Sequence, residues 1–382
     1  MSVTVASYAS IEAIGRERWD RCFPGEAEGY AFYVAAEEAG PPGFHARYIV
    51  ALDGEAVLAA APAFLTRYRL DTTVQGPLKP IAEALTRTFP RLLTLDLAAI
   101  GSPVAEICHL GFAPEVGVAD RPSLVVALLE GLERLAEAEG CGLVAVKDAA
   151  EKDIALWRTA LEPRGFQAMP GLPTGLLSVP PGGLDGYFAT LSRATRKDLK
   201  RKWKQRERLR VEHRTNVDDV LDRIASLYAE TVAHSDLQFE HLPPAYFAAV
   251  LRRLAPSARV VLYWAGDDLV AFNLLIETGD RLVDKYIGMH YPVVGEYSLY
   301  YTSWLENVAW CSRQGIPLYQ AGQGFYGPKV RLGCRLSPNW LYFRHRNRWI
   351  NAVLKTVSRI VSLDRFDPEI ARLMDQHARK AA

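Results

Sequence analysis

The side chains best suited to chemistry lie on one predicted β-hairpin in the second half of the chain. A two-residue turn at Gly279-Asp280 would place Asn273 opposite Tyr286. Leu275 would then lie opposite Asp284. Because side chains alternate along a strand, one face of this hairpin gathers a carboxylate, a phenol, an imidazole and an amide around a glycine. These residues are Asn273, Asp284, Tyr286, Gly288 and His290.

Acyl transfer to an amine requires a set of this kind. A base takes the ammonium proton, hydrogen-bond donors hold the developing oxyanion, and an acid protonates the leaving thiolate. Gly288 would let the backbone of an acyl donor lie close to the strand. The alternative is structural, because Asn273 and Tyr286 could satisfy each other in a half-buried sheet. Asp284, Tyr286, His290 and Asn273 are the candidate catalytic residues.

The elements that must position this hairpin occur twice in the chain. The repeated landmarks are Ala46-Arg47, Gly54, Ser123-Leu124 and Gly140 in the first copy and Ala258-Arg259, Gly266, Ser298-Leu299 and Gly315 in the second. Repetition of a supersecondary unit at this separation predicts two copies of one mixed α/β domain. We predict an N-terminal domain at 1–180, a C-terminal catalytic domain at 181–346 and an amphipathic helical tail at 347–382.

The order of elements within each copy is helix, helix, hairpin, helix, strand. This order predicts a mixed central sheet flanked by helices and disfavours a doubly wound dinucleotide fold. Gly322-Gln323-Gly324 has only two glycines and opens no clear helix, so it does not indicate a nucleotide-binding loop.

Composition limits the class of protein. A chain of 382 residues with 49% hydrophobic residues and a net charge of +1 fits two globular domains without a general preference for nucleic acid. The five cysteines form no Cys-x-x-Cys pair, and the histidines lack metal-ligand spacing. We therefore expect reduced thiols and no metal. The absence of a recognisable signal peptide or long apolar run favours a cytoplasmic protein.

Several segments resemble the FemAB-like branch of the GNAT acyltransferases, the peptidoglycan biosynthesis/recognition proteins. The segments from Trp19 to Leu65 and from Ser192 to Lys202 carry part of this resemblance. Tyr286-Ile287-Gly288-Met289 and the run from Gly322 to Leu336 carry the rest, and that run is the most specific. The resemblance implies a tandem GNAT fold whose second copy takes a coenzyme A thioester as co-substrate and acylates an amine.

The sequence departs from the family pattern at two places that concern the donor. The usual pyrophosphate loop is absent between Met289 and Ser298, and Gly327-Pro328 separates the family's Tyr-Lys pair. We expect donor or phosphate contacts from the family signature and from a basic helix that precedes it. The candidates are Lys329, Arg331, Gln323, Tyr326, Gly288, Arg196 and Lys200.

The basic helix is predicted from Asp185 to Arg210, and its cations surround the helix axis. A solvated surface helix is one interpretation. A second is phosphate binding, with coenzyme A, a nucleotide-linked cell-wall precursor or a transfer RNA end as the ligand. A third is attraction to an anionic membrane surface.

The C-terminal tail and one loop contain candidate contacts for the acyl acceptor. Trp349, Ile350 and Val353 belong to an apolar helical face with cations beside it, which either packs on a domain or lies in a lipid interface. Glu240 and His241, in a loop before a Pro-Pro pair, are candidates to line an acceptor pocket.

The sequence thus predicts an N-acyltransferase that moves an acyl group from acyl-CoA to an amphiphilic or envelope-related amine, for example a long-chain, sphingoid-type amine. An association with the inner face of the membrane is compatible with this activity. Two alternatives stay open. One is a FemX-like transferase that uses aminoacyl-tRNA on a cell-wall precursor, and the other is a non-catalytic binding module.

Overall fold

The computed structural model describes residues 3–69, 94–235, 240–360, 370–372 and 375. They form two mixed β-sheets flanked by helices, which confirms the predicted α/β fold class. The strands are β1 Val3–Tyr8, β2 Phe44–Asp53, β3 Ala56–Arg69, β4 Thr94–Ile100, β5 Gly111–Phe112, β6 Leu143–Ala150, β7 Gln167–Pro170, β8 Thr174–Ser178, β9 Arg210–Arg214, β10 Ala258–Ala265, β11 Asp268–Glu277, β12 Arg281–Met289, β13 Leu318–Gly322, β14 Arg335–Ser337 and β15 Asn339–His345. The helices are α1 Arg16–Cys22, α2 Tyr30–Ala39, α3 Arg121–Ala138, α4 Ile154–Leu161, α5 Gly183–Thr190, α6 Arg193–Trp203, α7 Leu221–Ala233, α8 Pro244–Arg253, α9 Tyr291–Tyr297, α10 Leu299–Gln314, α11 Tyr326–Arg331 and α12 Arg348–Ile360.

The chain divides into two compact units whose segments interleave. The first unit comprises residues 1–24, 41–173 and 337–382, and the second comprises residues 25–40 and 174–336. Two segments therefore belong to a different unit from the one to which the predicted domain boundaries assign them. Residues 25–40, with α2, are part of the second unit, and β15 is part of the first.

The two copies share their turn geometry. Gly54 and Gly266 close the β2–β3 and β10–β11 hairpins with φ of +59° and +61°. Gly140 and Gly315, which follow α3 and α10, both have a φ of +70°. These left-handed values explain why glycine stands at the same points of both repeats. Both hairpins also carry a register shift at the equivalent place.

The sheet of the first unit has the order β1-β2-β3-β4-β6-β15-β7, with β5 beside β3. β15 lies between β6 and β7 and is antiparallel to both, so a strand from near the end of the sequence completes this sheet. The amphipathic helix α3 buries Leu124, Leu128, Leu132 and Leu135, which are spaced at one face of a helix.

The sheet of the second unit has the order β14-β8-β13-β12-β11-β10-β9. β12 and β13 are parallel to each other. α10 is the central helix of this unit, and its Trp304, Leu305, Val308 and Cys311 are buried in the core. The core cluster also includes side chains of β12 and β13, so α10 and these two strands pack together.

The single basic helix predicted from Asp185 to Arg210 is wrong in its extent. α5 ends at Thr190 and α6 begins at Arg193. Ser192 caps α6, because its hydroxyl accepts a hydrogen bond from the N–H of Thr195 at 3.2 Å. The missed signal was the serine, which favours a helix start over a helix interior.

Within the described ranges, no helix has the length and apolar character needed to cross a bilayer. The five cysteines are free and buried. Over the same residues, no group of three or more His, Cys, Asp and Glu side chains is arranged to hold a metal ion.

Candidate active site

β12 and β13 separate partway along their length. Their parallel pairing covers three positions, from Arg281 with Leu318 to Val283 with Gln320. The other side of β12 pairs with β11 over most of the strand. Among the described residues, β12 has no strand partner on its β13 side from residue 284 to 289, and we call residues 284–289 the open edge. The N–H of Met289 donates to Oγ1 of Thr231 at 3.0 Å, so this group is already bonded. Backbone groups at residues 284–288 that point away from β11 can pair with the amide groups of a ligand.

A β-bulge at Lys285 places the side chains of Asp284 and Tyr286 on opposite faces of the sheet. Leu275 pairs with Asp284, as predicted, but Leu274 and not Asn273 pairs with Tyr286. One extra residue in a strand reverses the side-chain alternation beyond it. The prediction that Asp284 and Tyr286 share one face is therefore wrong.

Asp284 lies where the two strands separate, within a cluster of polar side chains. Its Oδ1 accepts a hydrogen bond from Nδ2 of Asn273 at 3.0 Å. Its Oδ2 accepts from the hydroxyl of Tyr319 at 2.7 Å and from Nδ2 of Asn307 at 3.2 Å. Asn273, Asn307 and Tyr319 are buried, whereas Asp284 keeps partial solvent exposure. The carboxylate is thus fixed by three donors, on a residue that is partly exposed.

The surroundings of Asp284 make it a stronger base than an exposed aspartate. Burial raises the pKa of this carboxyl to about 6, against the lowering effect of the hydrogen bonds from Tyr319 and Asn273 and of the charge of Lys329. In the described part of the chain, the Oδ1 atoms of Asn273 and Asn307 are buried without a hydrogen-bond partner. Water or a bound donor such as an ammonium group would satisfy these acceptors.

Tyr286 lies on the opposite face, against α7 and α8. Its ring contacts Tyr228 and Tyr246 edge-on, with 5.9 Å between centroids in each pair. The ring of Phe247 lies 6.1 Å away. Burial raises the pKa of Tyr286 well above its ordinary value. Tyr286 is therefore a neutral phenol in an aromatic cluster at physiological pH.

Glu240 and His241 are near this aromatic cluster. The ring of His241 lies 6.4 Å from that of Tyr228. Burial, and after it the charge of Glu240, raises the pKa of Tyr228, and the charge of Glu240 also acts on Tyr286. The structure thus brings the predicted acceptor residues together with Tyr286 and not with Asp284.

The bulged residue, Lys285, forms a buried ion pair with Glu28 from the segment 25–40. The two side chains are 2% and 3% exposed. Nζ of Lys285 also lies 5.2 Å from the ring centroid of Phe32 and 5.6 Å from that of Tyr286. A buried charge requires such a partner, because an unpaired one would be strongly destabilising. The ion pair attaches the segment 25–40 to the open edge.

His290 follows the end of β12 and is oriented by Glu230 on α7. Nδ1 of His290 lies 3.0 Å from Oε2 and 3.1 Å from Oε1 of Glu230. A carboxylate only accepts hydrogen bonds, so Nδ1 carries the proton of a neutral ring and Nε2 is the basic nitrogen. Glu230 also accepts from the N–H of Tyr291 at 3.1 Å. His290 is therefore held apart from the polar cluster around Asp284.

Lys329 is buried, unlike a lysine that is available to bind phosphate. Its Nζ donates to the carbonyl of Gly322 at 2.9 Å and to that of Gln323 at 3.0 Å. Its charge also lowers the pKa of Asp284. This geometry favours a role in fixing the loop after β13 and in the electrostatics of Asp284. Tyr326, in the same signature, is also buried.

The predicted role of Gly288 in donor binding is not supported by its surroundings. A Cβ at this position would lie 2.2 Å from the ring of Phe272 and 2.9 Å from the backbone of Leu227 on α7. The space beside Gly288 is filled by the protein itself, so the glycine permits close packing of helix on sheet.

The remaining predicted cations differ in their surroundings. Arg331 donates to the hydroxyl of Tyr301 at 2.7 Å. Arg196 is half-buried and donates to the carbonyl of Leu191 at 3.2 Å. Lys200 is exposed. Arg331 is exposed too, so Lys200 and Arg331 are both more accessible to a phosphate than the half-buried Arg196.

Three residues of the site were missed by sequence reasoning: Asn307, Tyr319 and Glu230. Asn307 had a detectable signal, because it is a polar residue three positions after Trp304 on the apolar face of α10. Tyr319 and Glu230 gave none, since a tyrosine in a strand and a glutamate in a helix are ordinary at those places.

Known proteins share both the domain and the tandem arrangement. Residues 193–327 match the acetyltransferase (GNAT) domain family. The structure is similar to that of FemX, with a TM-score of 0.59 and 12% identity over 93% of this chain and 100% of that chain. It is also similar to a tandem GNAT protein from the clavulanic acid biosynthesis pathway, with a TM-score of 0.52 and 12% identity over 91% and 99% of the two chains. L-PGS from Bacillus licheniformis gives a TM-score of 0.51 at 11% identity, over 89% of this chain and 97% of that one. No curated protein matches the sequence.

The second unit therefore contains a GNAT acetyltransferase domain, which supports an acyltransferase activity. The similarity to the tandem GNAT protein over almost the whole of both chains confirms the predicted tandem GNAT-like fold.

Proposed function

We propose that the protein transfers an acyl group from a coenzyme A thioester to the amine of an amphiphilic acceptor. The observation that carries this proposal is the partly exposed Asp284, whose carboxylate is held by three hydrogen-bond donors at the point where β12 and β13 separate. The open edge offers backbone groups to the amides of a pantetheine arm, and Asp284 offers a base beside them.

The reaction balances with Asp284 as the proton carrier and water as the final acceptor of one proton. The Asp284 carboxylate takes a proton from the acceptor ammonium and releases it to water, and the free amine attacks the thioester carbonyl carbon. A C–N bond forms, and Asp284 takes the second proton from the newly bonded nitrogen. The C–S bond breaks, its electron pair leaves with sulfur, and Asp284 passes its proton to the thiolate, so the products are an amide, free coenzyme A and one proton in solvent. The buried Oδ1 atoms of Asn273 and Asn307 are suited to holding the ammonium before it reacts.

The other predicted site residues keep proposed roles on the two sides of the strand. Lys200 and Arg331 would contact donor phosphates, and Arg196 and Gln323 would support them. The neutral phenol of Tyr286 would lie with Glu240, His241 and His290 on the face opposite Asp284, where they would contact the acceptor away from its reacting amine.

An amphiphilic acceptor is supported by the C-terminal helix α12. Trp349 and Val353, on neighbouring turns of this helix, are 72% and 62% exposed, while Leu354 is buried in the core of the first unit. An exposed tryptophan and valine with cations on the same helix fit an interfacial contact with anionic lipid. Co-sedimentation with phosphatidylglycerol vesicles tests this contact, and equal binding by W349S/V353S and the wild type would remove it.

Calorimetry and turnover test the main proposal. Coenzyme A should bind, and acyl-CoA should be consumed with an amine acceptor by the wild type but not by D284N. Tyr187→Phe is the matched control, because it changes a buried tyrosine of the same unit that bonds Leu332 and Trp304 and not Asp284. Consumption of aminoacyl-tRNA in place of acyl-CoA would establish the FemX-like alternative. Absence of coenzyme A binding and of turnover with either donor would leave a binding module.

A further inference from the structure

The loop after β13 has an unusual backbone. Gly322 and Gly324 have φ of +79° and +76°, and Phe325 follows with a φ of +54°. The left-handed region suits glycine but is unfavourable for a bulky aromatic residue, and such outliers concentrate at functional sites. Lys329 holds the loop by donating to the carbonyls of Gly322 and Gln323. The backbone therefore keeps Phe325 in a strained conformation.

The strained residue presents an apolar side chain to solvent. Phe325 is 61% exposed, and Val330 on the next helix, α11, is 39% exposed. Seven large hydrophobic residues are exposed in the part of the chain that the structure describes, and these two lie within six positions of each other. The strained backbone and the exposed apolar ring do not stabilise the folded state, so stability does not explain why position 325 is a phenylalanine.

A series of side-chain contacts connects this loop to Asp284. The ring of Phe325 packs edge-on against that of Tyr300, with 4.8 Å between centroids. The ring of Tyr300 lies 6.4 Å from that of Trp304, which lies 5.0 Å from that of Tyr319. The hydroxyl of Tyr319 donates to Asp284, and Lys329, which fixes the loop, lowers the pKa of Asp284 through its charge. The exposed ring of Phe325 is thus connected to the proposed base through packed side chains.

We infer that Phe325 and Val330 form the contact surface for the alkyl chain of a substrate and select long-chain over short-chain substrates. This inference rests on the proposed acyl transfer at Asp284 and names the substrate class for it. A phenyl ring and a branched aliphatic side chain attract methylene groups without a polar contribution. The chain belongs either to the acyl donor or to the amine acceptor, and one experiment distinguishes these sources.

The experiment uses two substrate series with the full-length protein. In the first, acetyl-, octanoyl- and hexadecanoyl-CoA are compared as donors with one amine. In the second, butylamine, octylamine and hexadecylamine are compared as acceptors with one donor. The wild type should show a kcat/KM that rises by roughly two- to fourfold per methylene in one series, because burial of a methylene group lowers the free energy of the transition state.

Phe325→Asn removes the ring but tolerates the left-handed backbone, so it preserves the loop. It should abolish the chain-length dependence in the series where the wild type shows it, whereas Phe325→Leu should retain most of it. Val118→Asn is the matched control, since Val118 is 76% exposed in the first unit. Unchanged chain-length dependence in F325N would overturn the inference.

Binding measurements without turnover distinguish failure of this inference from failure of the proposed function. Calorimetry with hexadecylamine and with a non-hydrolysable hexadecyl thioether of coenzyme A measures alkyl binding without turnover. If neither series gives product but F325N weakens alkyl binding about tenfold or more, the acyl transfer fails and the alkyl surface stands. If binding of both probes is the same in F325N and the wild type, the alkyl surface fails whatever the turnover.

Discussion

At the scale of single residues, the raised pKa of Asp284 has a consequence for stability. A carboxyl whose pKa rises from 3.8 to about 6 on folding binds its proton more tightly in the folded state. Its contribution to stability is fully present below about pH 4 and is lost as the pH rises through 6. The wild type should therefore lose roughly 2–3 kcal/mol of unfolding free energy over this interval relative to D284N. Urea titrations of both proteins from pH 4 to pH 8 measure the difference, and parallel curves would contradict it.

The hydroxyl of Tyr319 should set the proton affinity of Asp284. It donates to Oδ2 at 2.7 Å and lowers the pKa of the carboxyl, so Tyr319→Phe should raise that pKa. The acid limb of the pH–rate profile should then move to higher pH, while Tyr187→Phe should leave it in place. The titration of the Asp284 carboxyl carbon by NMR gives the same information without turnover. An acid limb at the same pH in Y319F and the wild type would mean that Tyr319 does not lower the pKa of Asp284.

At the scale of elements, Glu306 connects α10 to the two segments beside it. It accepts from Nε of Arg206 at 2.9 Å and lies 3.6 Å from Nε2 of His213 on β9. Burial alone would raise the pKa of Glu306, but these hydrogen bonds and the charges of Arg206 and Arg313 lower it to about 2. Its stabilising effect is present above pH 4.5 and is lost as the pH falls through about 2.

Glu306→Gln should therefore lower the unfolding free energy at pH 7 by roughly 3 kcal/mol, because it removes the charge that the cations require. The difference from the wild type should shrink as the pH falls toward 2. Chemical denaturation at several pH values measures this trend. Glu277 accepts from Trp310 at its edge of the sheet, and E277Q is a control at a carboxylate with more exposure.

The bulge in β12 predicts a second effect at this scale. Removing one partner of the buried Lys285–Glu28 pair leaves a buried charge, so Lys285→Met should destabilise by roughly 3–5 kcal/mol. Replacing both residues together, as K285M/E28L, should recover most of that loss. Thermal and urea unfolding of the two single variants and the double variant form a cycle, and additive losses would exclude direct coupling.

The same bulge marks the limit of what the sequence could predict. Alternation and the turn at Gly279-Asp280 correctly paired Leu275 with Asp284, because pairing near a turn depends on local geometry. Beyond Lys285 the prediction failed, since the extra residue is set by a tertiary contact: the buried lysine turns toward Glu28, far away in sequence. The repeat, by contrast, was readable because left-handed glycines such as Gly54 and Gly266 depend on the backbone alone.

At the scale of the whole molecule, a cut at the predicted boundary should not give two independent halves. The fragment 1–180 lacks β15, which lies between β6 and β7 in the first sheet. The fragment 181–382 lacks β8 and the segment 25–40, which belong to the second unit. Each fragment alone should show weak circular dichroism and fast hydrogen exchange. Co-expression of both should restore slow exchange in both sheets, and a stable lone fragment 1–180 would contradict this view.

The late position of β15 in the sequence also affects how the first sheet folds during synthesis. During translation the strands of the first sheet leave the ribosome early, yet the place between β6 and β7 stays empty until residues 339–345 have been synthesised. A nascent chain with that vacancy exposes unpaired strand edges, which are prone to aggregation. The first sheet therefore stays incomplete until residues 339–345 have been synthesised, and slow elongation between β7 and β15 would prolong this vulnerable state.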